Sequence, residues 1–177
     1  LNKKFLCVIF VVYLPLMLKA YKYELLPVDE QKIHLNKIFG SCRFVFNLAL
    51  QSKIYAYQSG KSVSCFDLMK QMTDLKKDEK TIWLNESPSQ SLQQVLSNLD
   101  NSYTNFFRGR ASFPKFKSKK NKQSFRIPIA VAVDFDNWKV KLPKLGNVEF
   151  CRDRIFKGQV RQATVSKTHT NRYFISI

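Results

Sequence analysis

The sequence predicts an α+β fold, a β-module into which a block of helices is inserted. Tyr21, Tyr23 and Leu25 alternate with Lys22 and Glu24, a lone half-buried strand that needs a sheet to join. Apolar residues then recur at three-to-four spacing to about residue 107. Beyond a basic stretch the period switches to two and stays there to Ile177. The 177 residues are 45% hydrophobic and 14% aromatic, enough to bury a core. Five Gly and six Pro exclude collagen-like and low-complexity chains.

The first strand ends at Pro27. Asp29 is read as the cap of a helix to about Phe39, with Ile33 and Ile38 facing inward. Gly40 punctuates, and a second helix over 41–58 gathers Cys42, Val45, Phe46, Ala49 and Leu50 on one face. Ser59-Gly60-Lys61 closes it. Ser64 caps a third helix to about Lys76, whose apolar residues are Phe66, Met69, Met72 and Leu75. In the next, Ser87 is read as cap, Pro88 as first helical residue and Gln90 as the side chain reaching back. Leu92, Val95, Leu96, Leu99, Tyr103 and Phe106 continue that stripe until Gly109. Residues 130–135 and 138–142 then read as a hairpin around Asp136-Asn137. Three more strands follow, around Val148 and Phe150, over 160–166, and around Tyr173, Ile175 and Ile177.

Charge is the main functional signal. With 30 Lys+Arg against 13 Asp+Glu the formal charge is +17, which points to polyanions: nucleic acid or anionic membrane. Residues 1–40 carry net +3, residues 41–100 net +1 and residues 101–177 net +13. The densest piece, 108–126, holds Arg108, Arg110, Lys115, Lys117, Lys119, Lys120, Lys122 and Arg126 without an acid. Phe113, Phe116 and Phe125 are interleaved with them. Lys and Arg suit phosphate neutralisation; the phenylalanines either stack on bases or anchor the segment to the core. The polar face of the fourth helix offers amides, Gln93 among them, of a type that reads base edges.

Cys7, Cys42, Cys65, Cys151, His34 and His169 are scattered singly, without the paired spacing of a local zinc module. Reduced, mostly buried thiols are the simplest reading. Residues 1–16 are two lysines and an apolar run, resembling a secretory signal but short for a membrane span and lacking an A-x-A site. Met17 reads as a start, which makes 1–16 an upstream or signal-like extension. A secreted or membrane-attached basic protein is the alternative.

Several blocks carry a family resemblance. Met17-Leu18-Lys19-Ala20-Tyr21-Lys22-Tyr23, Gly40-Ser41-Cys42-Arg43-Phe44-Val45-Phe46-Asn47, and Leu92-Gln93-Gln94 through Asn98-Leu99 belong to it. So do Asn105-Phe106-Phe107-Arg108, Phe113-Pro114-Lys115-Phe116-Lys117-Ser118-Lys119-Lys120, Gln123-Ser124-Phe125-Arg126 and Leu142-Pro143-Lys144-Leu145-Gly146. In this order they resemble TnpB/OrfB-type insertion-sequence proteins, RNA-guided DNA endonucleases related to type V CRISPR effectors and also called transposases. The resemblance implies an OB-like wedge β-barrel interrupted by a helical recognition domain with a helix-turn-helix-like start. On that pattern residues 17–27 are the first wedge strand, 28–110 the helical domain, 111–126 a basic linker and 127–177 further wedge strands. The RuvC-like nuclease, with its Mg²⁺ and Zn²⁺, is expected only in a C-terminal half beyond this sequence.

The same resemblance implies that the helix of Gln93 approaches a short DNA motif beside the target. It puts residues 108–126, and Lys144, on the backbone of guide RNA or heteroduplex. Arg43 and Asn47 are read as structural. Cys65 and Ser89 depart from residues common in relatives, which leaves the flanking motif open. Asp74, Asp78, Glu79, Asp134 and Asp136 lie in helix ends or a turn and do not make the converging carboxylates of two-metal chemistry. The expectation is therefore a cytoplasmic, non-catalytic nucleic-acid-binding fragment without stable membrane association. The alternative within the family is half of a split nuclease completed by a separate C-terminal polypeptide.

Overall fold

The computed structural model describes residues 18–120, 122–129 and 131–177; the extension read at 1–16 lies outside them. Strand β1 (Lys22–Leu26) is followed by α1 (Asp29–Gln58), α2 (Cys65–Leu75), a 3₁₀ turn (Ile82–Glu86) and α3 (Ser89–Phe107). Then come β2 (Gln123–Ile127), β3 (Ala132–Asp134), β4 (Lys139–Leu142), β5 (Gly146–Phe150), β6 (Ala163–Lys167) and β7 (Tyr173–Ser176). This is the α+β order that the change of period predicts.

All seven strands join one antiparallel sheet in the order β2-β6-β7-β1-β5-β4-β3. The lone first strand takes the middle. It pairs Tyr23 with Ile175 of β7 on one side and Leu25 with Phe150 of β5 on the other. Alternate residues of the strands are buried: Tyr23 and Leu25, Phe125 and Ile127, Val140 and Leu142, Val148 and Phe150, Ala163 and Val165, Tyr173 and Ile175. The hairpin around Asp136-Asn137 is present, with Val133 opposite Val140. At its tip the Asp134 carboxylate accepts from the Asp136 and Asn137 backbone N–H groups and from the Asn137 side chain. Those bonds hold the carboxyl below its ordinary pKa.

Several element boundaries differ from the sequence expectation. Residues 29–58 form one helix of 30 residues, not two broken at Gly40. Leu35, Ile38, Phe39, Cys42, Val45, Phe46, Ala49 and Leu50 keep one buried stripe in register through the glycine, and burial outweighs its low helix propensity. Ile33 is 61% exposed, because two residues before Leu35 the helix has turned it to the opposite face. The N-cap is Val28 rather than Asp29, and the Gln31 side chain reaches back to the Val28 N–H at 3.2 Å. In α2 the Ser64 cap holds, with Asp67 reciprocating, but Phe66 is exposed and Leu68 and Met72 are the buried pair.

At α3 the cap is Pro88, not Ser87. Ser87 is instead buried and donates to Ser41 Oγ at 2.7 Å, and Ser41 donates to the Lys37 carbonyl at 3.0 Å. A tertiary partner thereby displaces a local cap. The basic stretch also ends earlier than read, since Gln123 to Arg126 already lie in β2, paired along β6. Phe125 is core and meets Phe39 edge-on at 5.2 Å, the contact that ties the sheet to α1. Leu35, Leu50, Leu92, Leu96 and Leu99 are fully buried between the helices, each contributing about 1.5–3 kcal/mol relative to exposure. No helix among the described residues is long and apolar enough to cross a membrane.

Two outcomes test this packing. A Cβ at Gly40 would meet nothing nearer than the Arg43 guanidinium at 4.0 Å. Gly40→Ala should therefore raise unfolding stability by about 0.5–1 kcal/mol in denaturant titration, whereas a helix break at this point would make it destabilising. Burial pushes the Cys42 thiol up to about 12. In the folded protein Cys42 should resist alkylation at pH 8 while part-exposed Cys65 and Cys151 react, as read by peptide mass mapping.

Candidate nucleic-acid interface

Past α3 the chain runs back along α1 without regular structure, and side chains fix its course. Asn47 of α1 accepts the Lys117 N–H at 2.8 Å and donates to the Lys117 carbonyl at 3.0 Å, as a neighbouring strand would. The Lys117 ammonium lies 4.1 Å from the centre of the Phe46 ring. Desolvation there draws its pKa below the usual lysine value. Lys117, exposed like its neighbours Lys115, Lys119 and Lys120, differs from them in these contacts with Asn47 and the Phe46 ring.

A few residues on, Gln123 accepts from Arg43 Nη1 at 3.0 Å and donates to the Lys119 carbonyl at 2.8 Å. Across from them the end of β6 brings Lys167, which donates to Asn36 of α1 at 2.9 Å. Arg43, Lys119, Lys167 and His169 line one polar cleft of about 430 Å³, together with Asn36, Phe39 and Gln123. Among the described residues no carboxylate lines it. Three fixed cations facing a shared hollow form a positive potential with no internal counter-charge.

The other residues singled out in the sequence fall in three places. Arg108 caps the C-terminal end of α3 and Arg110 follows in the next turn, both exposed. Arg126 is half-buried on β2 and donates to the Gln162 side chain, while Lys122 is exposed just before that strand. Gln93 lies exposed on α3, its amide making no hydrogen bond among the described residues. Lys144 occupies the β4–β5 turn with φ of 67°. Partial burial, and secondarily the Lys144 charge, lowers the pKa of Lys76, and Lys76 donates to Ser89 Oγ at 2.6 Å. Ser89 and Gln93 are four apart on α3, so Lys144, Lys76 and Gln93 gather at the same end of that helix.

Gln93 and Arg108, fifteen residues apart, are roughly 22 Å apart along the axis, so the sequence-read residues do not form one compact site. Phe113 packs edge-on against Tyr103 and Phe106, Phe125 is core and Phe116 stays 49% exposed. Lys76, Asn36, Lys167 and His169 escaped the sequence reading because each stands outside the basic run. The only local signal was the polar hairpin Lys167-Thr168-His169-Thr170-Asn171, which ends on a left-handed residue at φ 59°. Arg43 and Asn47, read as organising the helical domain, bond outside it as well: Asn47 holds the basic segment at Lys117, and Arg43 bonds Gln123 while also lining the polar cleft. Asn47→Ala should leave the fold intact and speed tryptic cleavage after Lys115, Lys117 and Lys119 several-fold, checked by timed digestion; an unchanged rate would remove the clamp.

The helix-turn-helix domain family of OrfB/IS605 type matches residues 17–62, and residues 18–62 here fold as β1 and the single helix α1 with its flanking turns. The chain is 38% identical over 161 residues to "Putative RNA-guided DNA endonuclease InsQ" of Escherichia coli K12, covering 90% of this chain and 40% of that protein. It is 31% identical over 163 residues to "Putative RNA-guided DNA endonuclease" of Streptomyces pristinaespiralis, again 90% of this chain and 40% of the relative. A shorter relative, "Virulence protein VsdF" of Salmonella dublin, is 38% identical over 116 residues, 60% of this chain and 98% of its own length. The chain therefore spans 40% of the length of the two relatives named as endonucleases. With the sheet, the long first helix and the basic segment in one order along it, the chain belongs to the TnpB/OrfB family of insertion-sequence proteins.

Proposed function

We propose that residues 18–177 are a nucleic-acid-binding unit of a transposon-encoded protein, holding RNA and DNA backbones and not themselves cutting them. The cleft of Arg43, Lys119 and Lys167 carries this reading, because converging cations without a carboxylate suit a phosphate diester. Guide RNA and target DNA are the proposed ligands, in keeping with the names of the longer relatives. In guided systems of this kind the protein reads shape and a short flanking motif while base pairing reads the rest. Gln93, with Lys76 and Lys144 beside it, is the proposed contact to the flanking duplex. Arg108, Arg110, Lys115, Lys119, Lys120, Lys122 and Arg126 are the proposed backbone contacts, and Lys117 acts mainly by holding the segment.

A seven-stranded antiparallel sheet interrupted by helices between β1 and β2 supports reading the strands as the OB-like wedge and residues 28–110 as the recognition domain. The family's cleavage chemistry, with its Mg²⁺ and Zn²⁺, is assigned by the resemblance to a nuclease region. Among the described residues no group of three His, Cys, Asp or Glu is placed to hold a metal ion. The proposed setting is the cytoplasm, where the nucleic acid is.

If about six cations meet duplex phosphates, affinity should fall about a thousandfold between roughly 50 and 200 mM salt. Lys119→Ala and Lys167→Ala should each weaken binding evenly across sequences and lower the salt slope by about 1. Fluorescence anisotropy with a labelled duplex and a labelled RNA hairpin reads both effects. A flat salt response would overturn the assignment.

A further inference from the structure

A second cleft, of about 700 Å³, lies where the C-terminal ends of α1 and α3 meet. Unlike the first it is aromatic. Tyr103, Phe106 and Phe107 come from the last turns of α3, Tyr57 from the last turn of α1, and Phe113 folds back over them. The Phe113 ring meets Tyr103 at 5.5 Å and Phe106 at 5.3 Å, both nearly perpendicular. This braces one wall. Tyr57 and Phe107 nevertheless remain 81% and 73% exposed. Large aromatic surfaces left in water around a concave site mark a place where something else is bound.

The charges around the cleft say what that is. Lys53 is occupied: its ammonium pairs with Asp100 at 3.1 Å, donates to the Val63 carbonyl at 3.1 Å and sits 5.1 Å from the Tyr103 ring centre. Lys61, Arg108 and Arg110, at the rim and just past Phe107, form no ion pair among the described residues. An apolar peptide would leave these cations unanswered. A flat apolar ring with an anion on either side would answer them.

We propose that this cleft receives an unpaired nucleobase of a single-stranded polynucleotide, stacked among Tyr57, Phe107 and Phe113, with Lys61, Arg108 and Arg110 on the adjoining phosphates. The inference rests on the nucleic-acid reading above and deepens it. It assigns single-stranded segments to the aromatic end of the helices and leaves duplex backbone to the polar cleft. Stacking is indifferent to base identity, so the site recognises unpairedness rather than sequence.

The test uses the whole chain with a pyrimidine oligonucleotide carrying one 5-iodouridine, made as RNA and as DNA, and with a duplex control. On irradiation the halogenated base should crosslink to Tyr57, Phe107 or Phe113, located by mass spectrometry. Phe107→Ala and Tyr57→Ala, both at exposed positions, should each weaken single-strand binding roughly five- to a hundredfold and leave duplex binding within twofold. Phe107→Trp should restore it. Unchanged single-strand affinity in both alanine variants, or crosslinks only outside the cleft, would overturn the nucleobase site while the nucleic-acid reading stands. Failure of the unaltered chain to bind any of the three at low salt would overturn both. A crosslink seen only with RNA or only with DNA identifies which strand occupies the site.

Discussion

The placement of β1 is the constraint on which the rest of the structure depends. It is the first strand in the chain and the central one in the sheet, bonded to β7 on one side and β5 on the other. Its two neighbours come from the far end of the sequence, so the sheet closes only when nearly the whole chain is present. Everything between β1 and β2 must therefore leave the sheet and return to it. The helices form that excursion, and β2, stacked on α1 through Phe125 and Phe39, marks the return. Arg172, just before β7, reinforces the centre by donating two bonds to the Glu24 carboxylate on β1 and holding that carboxyl below its ordinary pKa.

This connectivity organises the surface charge. A segment with eight cations and no acid repels itself and, left alone, stays extended in water. Here it is pinned to α1 at Asn47 and Gln123 and shielded once, at Lys117, by the Phe46 ring. Apart from Arg126, which is half-buried on β2, the remaining cations are exposed along this course. Because a backbone clamp holds the segment, the order does not depend on a polyanion arriving first. A preorganised row of cations loses less entropy on binding than a free basic tail would.

Two clefts of opposite character then flank the helical block. One is polar and lined only by basic charges; the other is aromatic, with its cations at the rim. Each joins elements distant in sequence: α1, the basic segment and the β6–β7 loop in the first, and the ends of α1 and α3 with Phe113 in the second. If the two clefts are the phosphate and nucleobase sites proposed above, one scaffold would suit a ligand that is double-stranded in one part and single-stranded in another.

Much of this was legible from residue pattern alone. The switch of period from 3.6 to 2 marked the α+β order, the Asp136-Asn137 hairpin and the Ser64 cap, because each depends on neighbours within a few residues. The blocks of family residues likewise lie in short runs. What the pattern misplaced were points where a distant partner outweighed a local preference. Gly40 reads as a break until the buried stripe on either side carries the helix through it. Ser87 reads as a cap until Ser41, 46 residues away, takes its hydroxyl. Lys167 and His169 look like ordinary loop residues until the sheet sets them opposite Arg43. Periodicity and composition report local free energies, which are encoded in adjacent residues. Which cations converge is set by strand pairing and packing over more than a hundred residues, and that exists only once the chain has folded.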